Sequence, residues 1–390
     1  MLALARVGVC AGQCPVPRSS LALARRLSGA SSPGPSSLGH GSSGPSSPTA
    51  RDGGQGSNKI KVMFFGTDDF AVESLRALHS ESLLPGGAVA GLEVTVLAMR
   101  SLTPAVTAYS SLHSLPLHPW PPDPAAITKA GFHLGVVASF GRLLPAALID
   151  SSPLGVINVH GSLLPRWRGA APVIHALAAG DTETGVSVMR VRPRRFDIGE
   201  VLAQRRVAIG PTVARKELTA QLAGLGAQLL LEVVRDFPTY SLGAAPQALE
   251  GVTLAPLVTL KMAALDFSAL DSGQVYDLWR ALGDVARLRC VFSSTGQEVR
   301  LATCHPPATT ATTLQLPEVA APGSLRYLKL GKSAKFLCVR CRSGWAAFTG
   351  IYHGNRKEMS PVDFHNGFLS KPGDHRLVPC PPPLSAKTGA

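Results

Sequence analysis

The feature that most restricts the fold is a repeated alternation, between residues 60 and 235, of short apolar runs with stretches of helical spacing. Residues 60–65 form an apolar run stopped by Gly66, and residues 70–79 follow with Phe70, Leu75 and Leu78 on one helical face, which predicts strand, turn, helix. Strand-like runs recur at 92–99, 134–139, 155–160 and 185–191 with helical stretches between or after them. The longest of these, 213–235, repeats Leu218, Leu222, Leu225 and Leu229 at intervals of four and three. Apolar strands too uniform to leave one face in water, alternating with helices, predict a doubly wound, mostly parallel α/β sheet, Rossmann-like, with helices on both faces.

The pattern lapses at 238–256 into Pro, Gly and Ala, which reads as a linker after a catalytic domain at 59–237. Beyond it the texture changes. Residues 274–282 suit one helix, and short runs at 289–292, 298–302, 324–330, 336–342 and 345–349 are separated by Gly, Pro and Ser. That spacing predicts a small antiparallel β-barrel, OB-like, over 257–380, with 381–390 as a tail.

Charge is uneven along the chain. The net +13 includes +7 from residues 257–390, where 16 basic residues face nine acidic ones. Residues 322–357 hold Arg326, Lys329, Lys332, Lys335, Arg340, Arg342, Arg356 and Lys357 without one Asp or Glu. Such a local field suits phosphates, and Arg326, Lys329, Lys332 and Lys335 are the candidate nucleic-acid contacts; a solvated basic face is the plainer alternative. Residues 1–51 have no acidic residue, and Arg6, Arg18, Arg25 and Arg26 punctuate apolar and Ser-rich sequence, the composition of a mitochondrial transit peptide continuing into a Ser, Pro and Gly linker up to residue 58. Seven scattered cysteines do not make a disulfide framework and fit a reducing compartment. No run of 18 apolar residues occurs, so no membrane partner is expected.

The chemistry concentrates at 155–181, GVINVHGSLLPRWRGAAPVIHALAAGD. Asn158 and His160 are two apart at a predicted strand end, so their side chains leave one face, about 6.6 Å apart along the chain. The carboxyl ends of strands in an open α/β sheet are where ligands bind. Ser162, Leu163, Leu164 and Pro165 then form a turn, and Asp197 is a lone carboxylate among Arg190, Arg192, Arg194 and Arg195. Taken alone, an Asn-x-His strand end facing solvent and an Asp paired with an arginine are the commoner cases. Cys338 and Cys341 have metal-ligand spacing without a second pair, so strand alternation accounts for them better than a metal does. Gly66, Thr67 and Asp68 lack the glycines of a dinucleotide loop, and His175 reads as a structural residue of a helix.

Together these residues resemble a known family. The run NVHGSLLPRWRGAAP is similar to the signature of the methionyl-tRNA formyltransferases, within the 10-formyltetrahydrofolate-dependent formyltransferases, and the transit-like leader places the resemblance with the mitochondrial type. The likeness extends to FGTDDF at 65–70, VVASFG at 136–141 and Asp197-Ile198-Gly199, and weakly to Ala255-Pro256 and Asp266-Phe267-Ser268. It implies that Asn158, His160 and Asp197 are the catalytic trio, that the turn Ser162, Leu163, Leu164 and Pro165 binds folate, and that 10-formyltetrahydrofolate donates a formyl group to initiator methionyl-tRNA without a metal, in a monomer of the mitochondrial matrix. The chain departs from bacterial relatives in a shortened segment at 99–105, in Arg194, Arg195 and Phe196 before Asp197, and in Leu257 where a Lys is usual. Formylation of a ribotide or nucleotide sugar, and an RNA-binding protein with a spent transferase domain, are the competing expectations.

Overall fold

The computed structural model describes residues 59–97, 103–307, 316–317, 319–331 and 334–381. The expected leader at 1–58, most of the shortened segment at 99–105 and Lys332 lie outside the described residues. Strand β1 (Ile60–Gly66) buries residues on both faces, and helix α1 (Asp69–Leu83) begins at once because Asp68 caps it, its carboxylate accepting from the Ala71 N–H at 3.1 Å. There follow β2 (Val89–Val96), α2 (Ala105–Leu112), β3 (Leu117–Pro119), α3 (Pro124–Lys129), β4 (Leu134–Ala138), α4 (Ala146–Asp150), β5 (Val156–His160) and α5 (Pro172–Ala178). The first part closes with β6 (Glu183–Arg190), β7 (Val201–Ala208), α6 (Arg215–Arg235) and α7 (Phe237–Leu242).

These seven strands form one sheet in the order β3-β2-β1-β4-β5-β6-β7. The first five pair in parallel, whereas β5–β6 and β6–β7 are antiparallel. The mostly parallel sheet was expected; strand β7 was not, because its alternation carries Gln204, Arg205 and Arg206 on an edge and not the apolar run of a central strand. Alternation along β1 divides the core. Val62 and Phe64 point to the cluster under α1 and α6, while Met63 and Phe65 point to a second one with Phe132, Val137, Phe140 and Leu144. Strand order reverses between β1 and β4, so the carboxyl ends of β1, β4 and β5 open a crevice along one edge.

The segment expected to be a linker is instead α7 and then extended chain that pairs back onto the first part. Ala245 and Val201 exchange backbone hydrogen bonds of 2.8 and 3.0 Å, and Arg168 and Leu254 form a parallel bridge. After it, α8 (Ser272–Leu282) starts with a reciprocal cap between Asp271 and Gln274. Eight strands follow: β8 (Leu288–Phe292), β9 (Gln297–Leu301), β10 (Cys304–His305), β11 (Leu325–Leu330), β12 (Ala334–Arg340), β13 (Trp345–Phe348), β14 (Ile351–His353) and, after helix α9 (Pro361–Phe364), β15 (Leu377–Val378). They make two four-stranded antiparallel sheets, β10-β13-β12-β11 and β14-β9-β8-β15. Cys338 and Cys341 are both buried, against different apolar clusters, and burial pushes each thiol up to about 12.

Candidate active site

At the crevice a cavity of ≈ 530 Å³ is walled by Thr67 and Asp68 after β1, by residues 139–144 after β4, and by Asn158, Val159 and His160 of β5. Further wall comes from residues 169–174, from Arg192, Arg195, Phe196 and Asp197, and from Arg215, Thr219 and Leu257. Asn158 and His160 leave the same face of β5, as their spacing predicts, and Asp197 arrives from the β6–β7 connection to meet them.

The three side chains share one carboxylate. Asp197 Oδ1 accepts from Asn158 Nδ2 at 3.3 Å and lies 3.7 Å from His160 Nδ1, while Oδ2 accepts from the Gly169 N–H at 2.9 Å. His160 is 6% exposed and Asp197 10%, so the cluster is the floor of the cavity. His160 Nε2 lies 2.9 Å from the Trp167 carbonyl. A carbonyl only accepts, so Nε2 carries a proton and Nδ1 is left for Asp197 and the cavity.

Two backbone positions make this geometry possible. Asp197 itself has φ 54°, in the left-handed region that Asp tolerates better than most residues, which turns its carboxylate back toward β5. Gly169 has φ 126°, and a Cβ there would lie 2.5 Å from the Ala255 carbonyl, so a side chain would part the loop that donates to Asp197 from the strap at 253–255. Trp167 also has positive φ, at 64°, and is held by three contacts: its N–H donates to Thr253 Oγ1 at 2.8 Å, its indole to Asp181 at 2.8 Å, and its ring lies under the Arg166 guanidinium.

The turn of Ser162, Leu163, Leu164 and Pro165 does not line the cavity. Ser162 and Leu164 are buried, and the turn's polar atoms are used internally: Ser162 donates to the Arg166 carbonyl at 2.6 Å, the Ser162 carbonyl accepts from Ser187 at 2.6 Å, and Gln204 donates to the Leu164 carbonyl at 2.9 Å. Residues 140–144, outside any helix or strand, take the place on the wall that this turn was expected to fill. His175 donates nothing to the cavity; its Nε2 meets the Pro256 carbonyl at 3.0 Å, the structural role its helix position suggested.

Positive charge gathers at the mouth. Arg192 is engaged with Glu200, which holds that carboxyl below its ordinary range through their hydrogen bonds, whereas Arg142 and Arg195 are exposed and without an ion-pair partner among the described residues. Phe196 beside them is 56% exposed. The basic residues of the second part are not brought together as a single patch. Lys329 and Lys335 stand directly opposite on β11 and β12, and so share a face, but Arg326 is three residues from Lys329 and points to the other face, opposite Cys338. Arg326 instead lines a polar cavity of ≈ 400 Å³ with Tyr327, His365 and His375. Among the described residues no group of three His, Cys, Asp or Glu could hold a metal ion, and no helix is long and apolar enough to cross a membrane.

Sequence reasoning missed the groups that hold the trio: the Trp167 carbonyl, the Gly169 N–H and Gln247, whose Nε2 donates to the Asp197 and Gly199 carbonyls at 2.9 and 2.8 Å. Backbone groups leave no residue-type signal, and Gln247 sits in a stretch with the composition of a linker.

A formyl transferase family model matches residues 124–234, which span β5, α5, β6, β7 and Asp197. A solved N-formyltransferase from Helicobacter canadensis, in complex with folinic acid and dTDP-3-aminofucose, shares the fold with a TM-score of 0.53 at 14% identity, over 75% of this chain and all of that one. A methionyl-tRNA formyltransferase of Methylobacterium is 38% identical over 57% of this chain and 73% of its own. The mitochondrial methionyl-tRNA formyltransferases of Rattus norvegicus and Homo sapiens are 37% and 36% identical, each over 79% of this chain and 78% of theirs. With that identity sustained across more than three quarters of both partners, the chain belongs to the methionyl-tRNA formyltransferase family.

Proposed function

We propose that this cavity transfers the formyl group of 10-formyltetrahydrofolate to the amino group of methionyl-tRNA, giving N-formylmethionyl-tRNA and tetrahydrofolate for initiation of translation in mitochondria. The observation that carries the reading is the enclosed carboxylate of Asp197, met by Asn158, His160 and the Gly169 N–H on the floor of a cavity at the carboxyl ends of β1, β4 and β5.

The neutral amine of the methionyl group attacks the formyl carbon; as the new C–N bond forms, the formyl oxygen takes negative charge. Asn158 has a second amide N–H beyond the one given to Asp197, and protonated His160 presents Nδ1, so both can donate to that oxygen. Asp197, 3.7 Å from Nδ1, orients the imidazole. Collapse of the intermediate breaks the bond from the formyl carbon to N10 of folate, and the proton lost by the attacking nitrogen ends on N10, relayed by His160. The apolar shelf of Val137, Phe140 and Leu144, with the irregular backbone of 140–144, suits a flat heteroaromatic ring that needs both stacking and hydrogen bonds. The turn at 162–165 supports this site from behind, by fixing the chain between His160 and the Trp167 carbonyl.

The tRNA approaches the mouth, where Arg142, Arg195 and the exposed Phe196 offer phosphate contacts and a stacking face, and extends over the two antiparallel sheets, which we read as an OB-like barrel with Lys329 and Lys335 on one face. We place the protein in the matrix, as a monomer that needs no metal. The test is formylation by the full chain with 10-formyltetrahydrofolate, offering methionyl-tRNA, free methionine and an amino nucleotide sugar in parallel. Formylation of methionyl-tRNA alone is the expected result; turnover of the sugar in its place would move the chain to a different substrate class.

A further inference from the structure

From residue 245 to residue 251 every side chain is exposed except that of Gln247. Its amide turns inward and uses both of its donors and one acceptor lone pair. Nε2 donates to the Asp197 carbonyl at 2.9 Å and to the Gly199 carbonyl at 2.8 Å, while Oε1 accepts from Arg168 Nε at 2.9 Å. Arg168 in turn is tied by its backbone to the same strap, its N–H donating to the Thr253 carbonyl at 2.9 Å and its carbonyl accepting from the Ala255 N–H at 2.7 Å.

We infer that Gln247 is a positioning residue for the formyl transfer: its amide clamps the Asp197 loop in the left-handed turn that aims the carboxylate at Asn158 and His160. The inference rests on the role proposed above for Asp197. Asp197 has φ 54°, a strained conformation that persists only where surroundings over-determine it. The side-chain partners of Asp197 fix its carboxylate, but its backbone carbonyl is fixed by Gln247. A glutamine suits this place because one nitrogen must give two hydrogens to two carbonyls while the oxygen accepts from a guanidinium. Glu would set a carboxylate against both carbonyls, and Leu would fill the space without donating.

Gln247 touches neither the cavity nor the reacting atoms, so its loss should act through Asp197 alone. Displacing a catalytic group by about 1 Å costs up to about a hundredfold in rate. Gln247→Leu in the full chain is expected to lower kcat with methionyl-tRNA by about tenfold to a hundredfold, with both KM values within about twofold. Gln247→Glu is expected to lose at least as much. In an Asp197→Asn background, where the carboxylate no longer serves His160, Gln247→Leu should change kcat by less than about twofold, because residues acting as one unit are not additive. Arg168→Met, which removes the anchor of the clamp and leaves Gln247 in place, should lose several-fold by the same route, and serves as the readout if Gln247→Leu does not fold. A loss of equal factor in both backgrounds, or kcat within twofold of wild type in the single variant, would overturn the inference. Wild-type protein that fails to formylate methionyl-tRNA, or an Asp197→Asn protein of full activity, would instead overturn the role of Asp197 on which it stands.

Discussion

The two halves of the molecule treat charge in opposite ways. On the cavity floor, Asp197 is 10% exposed and each oxygen has a fixed partner; on β11 and β12, Lys329 and Lys335 stand directly opposite, with Asp363 the carboxylate that feels Lys335. An enclosed charge is useful only in one geometry, so the chain surrounds it with donors and a strained turn. A pair of like charges directly opposite on a sheet is mildly destabilising, and a bound polyanion would relieve it. On the function proposed above, geometry matters in the first half and field in the second, and each should respond differently to mutation and salt.

The largest effects should come from the enclosed group. His160→Ala and Asp197→Asn are each expected to reduce single-turnover formylation by about a hundredfold or more, with tetrahydrofolate affinity changed only a few-fold and no dependence of the loss on salt. A loss that salt restores would place these residues with the field and not with the geometry. Next, Gly169→Ala puts a Cβ 2.5 Å from the Ala255 carbonyl at a φ of 126°, and should lower stability by about 2–3 kcal/mol in denaturant titration, whereas Gly331→Ala, with nothing within 4 Å of its Cβ, should lose only what its own φ of 62° demands, about 1 kcal/mol. Equal losses would mean that the strap does not press on the loop.

In the open half, Lys329→Glu with Lys335→Glu is expected to weaken methionyl-tRNA binding by about tenfold at moderate salt and to flatten the plot of log affinity against log salt by up to about two units, leaving kcat at saturating tRNA unchanged. An unchanged slope would return these lysines to an ordinary solvated face. The smallest effect concerns an intermediate case, Glu81, nearly buried and hydrogen-bonded by the half-exposed Arg235, which holds its carboxyl below the ordinary range. A depressed carboxyl stabilises the fold above its unfolded pKa of about 4.3, and the gain is lost as pH falls through the folded value. Arg235→Leu should therefore cost about 1 kcal/mol at pH 7, discounted for the exposed guanidinium, and the gap from wild type should close once pH has fallen below the folded value; a gap that persists there would mean packing, not charge, is responsible.

Much of the first half was legible because its physics is periodic. Apolar runs of strand length between helical repeats predict the parallel core, and the two-residue spacing of Asn158 and His160 puts them on one face. Asp197 was legible as a lone carboxylate among arginines, though not the left-handed turn that aims it, since that conformation is fixed by partners about fifty residues away. Ser162, Leu163, Leu164 and Pro165 were expected at the folate and lie behind the wall instead, because sequence proximity to His160 says nothing about which side of a turn meets the cavity. Arg326 and Lys329 share a composition but lie three residues apart along one strand, which puts them on opposite faces.

The strap also limits where this molecule can be cut and rejoined. A protein truncated after α7 would retain Asn158, His160 and Asp197 yet lose Gln247, Thr253 and Ala255, the residues that brace the loops around them. Exchange of the β-rich half between relatives, whether by recombination or in the laboratory, should therefore tolerate a joint after Ala255 far better than one just after Leu242. The boundary at which this chain can acquire a new β-rich half lies beyond the point where its composition changes.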